Sequence, residues 1–187
     1  MPRKKSIEDG HIRAARTALA NNDLKKAEKL IKTSIQFYPR DPIAHAYHGE
    51  ILLAKGFPVK AAAAYQLAVA ACPEQGTFWH GLGLARFKGG LFRSAIDALT
   101  HAAELMPENP EIQNNLGNLQ REVGNGNDAA ECYRRAIKLK PDFGEAFSNL
   151  GVVLLELGNA VEAKKALESA GAINPQDPMI LTNLGCC

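Results

Sequence analysis

Three observations predict an all-α fold, an array of repeated pairs of short helices. The first is a repeat. Residues 111–142, EIQNNLGNLQREVGNGNDAAECYRRAIKLKPD, fall on the following stretch when shifted by 34 places: Leu116-Gly117 lands on Leu150-Gly151, Gly124 on Gly158, Ala129 on Ala163, Ala136 on Ala170 and Pro141 on Pro175. A fixed period of this length marks a helical array. The second is that apolar residues within each period recur at helical spacing, in two runs per period. The third is punctuation: a Gly or Asn separates the two runs, and a proline closes each unit at Pro39, Pro73, Pro107, Pro141 and Pro175, where a second helix cannot continue.

Taken in order, residues 1–7 read as a basic, solvated N-terminal tail. Repeat one, residues 8–41, has a blurred signature: His11, Ala14, Ala15 and Ala18 in its first helix, Ala27, Ile31 and Ser34 in its second. An atypical terminal repeat is expected to cap an array whose end meets water. Repeat two, residues 42–75, carries Gly49, Leu52, Gly56, Ala61, Tyr65, Ala68 and Pro73, with Pro58 at the first turn of its second helix, where the missing N–H costs nothing. Repeat three, residues 76–109, holds the only tryptophan, Trp79, then Leu82-Gly83, Gly90, Ala95, Leu99 and Ala102. Repeat four spans residues 110–143. Repeat five, residues 144–177, has Phe147, Leu150-Gly151, Leu154, Ala163, Leu167 and Ala170. Residues 178–187 begin a further first helix with Leu181, Leu184 and Gly185.

The spacing has a physical meaning. Gly56, Gly90, Gly124 and Gly158 stand just past the first helix of each unit, where positive φ is easiest for glycine. The glycine of each Leu-Gly pair and the alanines of the second helix are expected to let two backbones pass closely. Asn125 and Asn159 are expected to cap the second helices.

Trp79, Leu82-Gly83, Ala95, Leu99, Ala102 and Pro107, with their counterparts in the other units, resemble the tetratricopeptide repeat (TPR) over residues 8–177. Five units follow without insertion or deletion. The resemblance implies a right-handed superhelix of antiparallel helix pairs, with first helices lining a concave groove and second helices outside. It also implies groove positions two, five, six, nine, twelve and thirteen places into each unit. In repeat four these are Glu111, Asn114, Asn115, Asn118, Arg121 and Glu122; in repeat five, Glu145, Ser148, Asn149, Val152, Leu155 and Glu156.

Asn115, Asn149 and Asn183 share one such position in consecutive units. An amide offers donors and an acceptor, so a column of them can hold the backbone of an extended peptide. The column resembles the asparagine ladder of O-linked N-acetylglucosamine transferases. It ends toward the N-terminus, where the matching residues are Gly81, Tyr47 and Arg13. Repeats one to three present Ile12, Arg16, Ile43, Tyr47, Leu53, His80, Leu84 and Phe87 instead, a more apolar surface suited to a partner helix or apolar segment. The clamp by which chaperone-binding TPR domains grip a C-terminal carboxylate needs cations in adjacent units. Here the corresponding residues are His80, Leu84, Asn115, Glu145 and Asn149, so no such clamp is expected.

Other functions are argued against. A net charge of +2 gives no reason to expect nucleic acid or acidic lipid as the partner. No window nears the roughly 18 apolar residues of a membrane span, and the N-terminus lacks the apolar core of a secretory signal, so the expected location is cytoplasmic. Cys72, Cys132, Cys186 and Cys187 show no metal-ligand spacing. His45 and His48 lie three apart on one helix but lack a third ligand and read as packed or hydrogen-bonded. Gly81-Leu82-Gly83 follows no strand and lacks the third glycine of a dinucleotide loop. The run Arg134, Arg135, Lys138, Lys140 reads as a solvated outer face. No enzyme activity, cofactor or metal is expected.

The function expected is a protein–protein interaction scaffold binding a peptide or protein segment in its groove, through Tyr47, His80, Phe87, Asn114, Asn115, Asn118, Arg121, Asn149 and Asn183. Replacing Asn115 and Asn149 by Ala is expected to weaken binding with the array intact. Two alternatives are a substrate-recruiting region of a larger enzyme, such as a bacterial glycosyltransferase resembling the transferase above, and a homo-oligomer pairing through an uncovered last helix. Residues 178–187 fit a capping helix, a piece of a longer protein, or that self-association surface.

Overall fold

The structure, a computed structural model, describes residues 2–175 and 182. Among the described residues there are ten α-helices and no strand: α1 (Pro2–Ala20), α2 (Leu24–Phe37), α3 (Pro42–Ala54), α4 (Pro58–Ala71), α5 (Gly76–Lys88), α6 (Phe92–Leu105), α7 (Pro110–Glu122), α8 (Gly126–Leu139), α9 (Gly144–Glu156) and α10 (Ala160–Ile173). The predicted all-α solenoid of antiparallel helix pairs is therefore found. Helices α3, α5, α7 and α9 start at Pro42, Gly76, Pro110 and Gly144, one period apart. Residues 2–7, expected as a tail, instead extend α1 backwards. Pro2 is tolerated in the first turn, and Arg3, Lys4 and Lys5 favour helix. Of the sixth unit only residue 182 is described; Asn183 and Leu184 lie outside the described residues.

Three residues join the two helices of every pair, and the same hydrogen bonds close each turn. In repeat two the Gly56 N–H donates to Leu53 O at 3.0 Å and the Phe57 N–H to Leu52 O at 2.8 Å, a Schellman pattern. It requires a left-handed residue at the middle position. Gly56, Gly90, Gly124 and Gly158 supply it at φ between 76° and 84°, and Asn22 does so in repeat one at φ 57°.

Asn125 and Asn159 differ from expectation. Both stand at the N-cap, yet neither makes a side-chain cap bond. The Asn125 amide turns back instead, and its Nδ2 donates to Gln120 Oε1 at 2.9 Å; nothing among the described residues holds Asn159 elsewhere. Caps are made by Asp23, Asp41 and Asn109, whose side-chain oxygens accept from Lys26 N, Ile43 N and Glu111 N at 2.9–3.0 Å.

The chain divides into two compact units, Met1–Leu105 and Met106–Cys187. In the first, α1 packs on α2, α3 on α4 and α5 on α6, with α2 against α3 and α4 against α5; in the second, α7 packs on α8, α9 on α10, and α8 against α9. Ala27, Ile31 and Ile51 form one buried cluster of the first unit, and Tyr65, Leu82 and Ala98 another. Tyr133, Leu150, Val153 and Leu154 lie at the centre of the second.

The glycine of each Leu-Gly pair makes room first for a side chain; at Gly83 and Gly151 a backbone atom of the partner helix, Leu99 N or Ala163 O, also lies 3.3 Å from the Cβ position, the close backbone passage expected. A Cβ on Gly117 would sit 2.5 Å from Tyr133 Cε1, and one on Gly151 2.5 Å from Leu167 Cγ. Each glycine is thus the socket for the largest buried residue of its partner helix.

Candidate functional site

In the first unit, helix α3 carries Ile43, Ala46, Tyr47 and Glu50 along one face, at the positions expected to line a groove. With Tyr65 of α4 and Thr77 and Phe78 of α5 they enclose a cavity of about 260 Å³. Partial burial raises the Glu50 carboxyl above the ordinary carboxylate range. Burial, reinforced by the nearby Glu50 carboxylate, pushes the Tyr65 phenol up as well. Both groups therefore keep their protons more readily than in water. The cavity wall is apolar at Ile43 and Phe78, with phenol and carboxyl groups between.

Of the other residues expected in this unit, Phe87 packs against Phe92 of α6, with ring centroids 6.1 Å apart, and does not line the cavity. Nor does His80, which is half-buried on α5. Tyr65 explains why the asparagine column stops here. Its ring occupies the space beside Gly49 and Gly81, so a Cβ on Gly81 would run into it. Position six of repeat three therefore has no room for an asparagine.

In the second unit the amides come together as a network. Asn149 Nδ2 donates to Asn114 Oδ1 and to Asn118 Oδ1, both at 3.1 Å. Asn118 Oδ1 also accepts from the Tyr133 hydroxyl at 2.9 Å, and Asn114 Nδ2 donates to Glu145 Oε1 at 2.9 Å. Asn114 is only 2% exposed. It supports the face from beneath and does not line it, contrary to expectation. Asn149 also departs from the expected role of a side chain with no structural duty, because it ties α9 to α7. An amide NH₂ has two protons, and both of Asn149's are used. What the pair has left to offer is the Asn118 amide NH₂, with two donors, and the Asn149 carbonyl as acceptor.

Arg121 is likewise committed. Its Nε donates to Glu156 Oε2 at 2.9 Å and its Nη2 to Oε1 at 2.5 Å, a bidentate pair between α7 and α9. These bonds hold the Glu156 carboxyl below its ordinary range and the Arg121 guanidinium above its own. Asn115 is half-buried at its ladder position, and Asn183 lies outside the described residues. Tyr65, expected only as a signature residue of repeat two, and Tyr133 are the site residues that sequence reasoning missed. Both occupy the same place of a second helix, two periods apart, where Leu99 and Leu167 stand in the other repeats; that alternation was the available signal.

His45 is structural. Its Nε2–H donates to the Pro39 carbonyl at 2.7 Å, as Trp79 Nε1–H donates to Pro73 one repeat later at 2.6 Å. No group of three His, Cys, Asp or Glu among the described residues could hold a metal ion, and no described helix is long and apolar enough to cross a membrane. Cys72 and Cys132 are free thiols. On the outer run, Arg134 pairs with Glu162 at 2.7 Å and Arg135 pairs with Glu131.

With this geometry in hand, the sequence matches the family model of the Cilia and flagella-associated protein 70 C-terminal domain, a tetratricopeptide-repeat domain, over residues 6–187. The chain belongs to this family. Solved structures agree with the fold of this TPR family. MamA superimposes with a TM-score of 0.79 at 22% identity, covering 90% of this chain and 92% of its own. YrrB, described as a TPR protein with an unusual peptide-binding site, does so at 0.77 and 22% identity, covering 97% of each chain. The pilF protein of Pseudomonas aeruginosa reaches 0.86 at 17% identity, covering 96% of this chain and 82% of its own. At these identities the likeness concerns the fold. No curated protein matches the chain. A TPR fold supports a general role as a protein-interaction scaffold.

Proposed function

We propose that the chain is a non-enzymatic scaffold that holds a peptide or protein segment on its first helices. The observation that carries this reading is the cavity on α3 and α5, where Ile43, Tyr47, Glu50, Tyr65 and Phe78 surround about 260 Å³. That volume suits one apolar side chain and its backbone, with Tyr47 and Glu50 available to hydrogen-bond the flanking peptide groups. YrrB, a structural relative, is described as having an unusual peptide-binding site.

In the second unit the same role falls to Asn118 and Asn149. Their unbonded donors and acceptor complement the C=O and N–H of a peptide group, so this part reads backbone and not side chains. Asn115 stands beside them on α7. The test is selection of peptides from a displayed library on the whole protein, followed by affinity measurement on variants. Selected peptides should lose about tenfold or more in affinity with Tyr47→Ala, the size of one well-buried contact. Unchanged affinity in both Tyr47→Ala and Asn118→Ala would reject the first-helix faces as the binding site.

A further inference from the structure

The opposite face of α3 carries a second and larger cavity. It is a trench of about 710 Å³ between α2 and α4, floored by α3. Its lining combines apolar Leu52, Phe57 and Leu67 with Glu28, Lys32, Lys55 and Lys60. Glu28 is the only acid there, and it is already satisfied twice, by Lys32 at 2.8 Å and by Lys55 at 2.5 Å. Those bonds hold its carboxyl down at about 2. Lys60 has no acid partner among the described residues and rests only over the Phe57 ring, 5.2 Å from its centroid.

The other repeats show what normally closes this trench. Three periods on, the positions of Lys32 and Lys60 are Arg134 and Glu162, which form an ion pair from α8 to α10 at 2.7 Å. One period on, Arg86 of α5 fills the equivalent space, its Nη2 donating to Gln66 at 2.8 Å and its Nη1 to the Ser94 carbonyl at 3.0 Å. There Trp79 also packs against His101, with ring centroids 4.8 Å apart and planes tilted by 44°. Between α2 and α4 both cross-trench positions are cationic, so the chain cannot supply its own closure. His48 adds a second anomaly. It stands where Leu82, Leu116 and Leu150 stand in the next repeats, and its buried Nε2 has no hydrogen-bond partner. A polar ring thus stands at the inner wall of the trench in a position that is leucine elsewhere, with one nitrogen unbonded among the described residues.

We propose that this trench binds an acidic, amphipathic segment of a partner protein, with a carboxylate between Lys32 and Lys60 and a large apolar side chain over Leu52. Charge complementarity selects an acid, which takes the place that Glu162 fills for Arg134. A protein segment is favoured over a small organic acid because Phe57 and Leu67, 44% and 54% exposed, continue the apolar surface beyond the mouth of the cavity. This site is independent of the cavity beside Tyr47, which lies across α3.

The test uses the full chain and a fluorescein-labelled probe peptide, Gly-Gly-Leu-Glu-Glu-Leu-Phe-Glu, with its glutamine counterpart, followed by anisotropy. The acidic peptide should bind, and the glutamine peptide should bind about tenfold more weakly, as for loss of one charged hydrogen bond. Lys60→Glu should abolish binding while keeping the thermal midpoint at or above that of the parent, because the new carboxylate pairs with Lys32 as Glu162 does with Arg134. Leu67→Gln, at an exposed position, should weaken binding several-fold with the fold untouched. Equal binding of both peptides, retention by Lys60→Glu and Leu67→Gln, or loss only on Tyr47→Ala would each overturn the proposal. So would binding of dodecanoate at the trench with no binding of either peptide.

Discussion

Asn149→Ala separates structural from recognition roles in the amide network. The substitution removes two hydrogen bonds at once, to Asn114 Oδ1 and Asn118 Oδ1. The consequences differ. Asn118 Oδ1 keeps the Tyr133 hydroxyl, whereas Asn114 Oδ1, in a side chain 2% exposed, is left with no donor and little water. An orphaned buried acceptor costs about 1–3 kcal/mol, and the lost bond to Asn118 adds a fraction of 1 kcal/mol. We therefore expect a loss of about 2 kcal/mol, or roughly 4–8 °C in thermal midpoint for a chain of this size. Urea unfolding followed by circular dichroism measures the total, and hydrogen exchange on α7 and α9 shows whether the loss is local. The double variant Asn114→Leu/Asn149→Ala should recover part of it, since no buried acceptor is then orphaned. A single variant within about 0.5 kcal/mol of the parent, or a double variant whose loss is simply additive, would refute the network as a structural tie. Peptide affinity must be compared below the transition of the variant, so that weakened binding is not confused with unfolding.

Three further outcomes are expected. Gly117→Ala should destabilise by about 1–3 kcal/mol in urea titration, because a Cβ 2.5 Å from the buried Tyr133 ring outweighs the gain of roughly 1 kcal/mol in helix propensity; combined with Tyr133→Ala the two losses should be less than additive, because the ring that the new methyl meets is then gone. Leu116→Ala and Leu150→Ala, 9% and 6% exposed in the parent, should each cost about 2–5 kcal/mol through the cavity they open, read by the same titration. Glu28 carries a pH signature. Its carboxyl is held near 2 against an ordinary value of 4.5, so its stabilisation is fully present above about pH 5 and fades as pH falls toward 2. After discount for solvent screening this amounts to about 1 kcal/mol. The stability difference between the parent and Glu28→Gln should shrink over that range, and a constant difference would contradict the pairing with Lys32 and Lys55.

The fold was legible because a repeat states its rule several times. One Leu-Gly pair is weak, but Leu82-Gly83, Leu116-Gly117 and Leu150-Gly151 at one interval, each followed by a left-handed glycine and a closing proline, leave few architectures open. The reason for those glycines was not legible in the same way. Local sequence says that something must come close to Gly117, and only the packed pair says that it is the Tyr133 ring and not a backbone. The groove shows the same limit. Spacing puts Asn114, Asn118, Asn149 and Arg121 on faces that share a helix stripe. It cannot say that Arg121 spends itself on Glu156, or that Asn149 donates back to α7.

Chain order alone, then, settled the helices, their turns and their period, because backbone preferences and helical spacing act over a few residues and repeat without interruption. Which polar groups remain free for a partner was decided by tertiary contact, because a hydrogen bond or ion pair between helices joins residues about a period apart whose side chains meet only after stacking. The trench between α2 and α4 belongs to that second class. Lys60 looks like any surface lysine in sequence, and becomes a site only beside Lys32, where a later repeat places an acid.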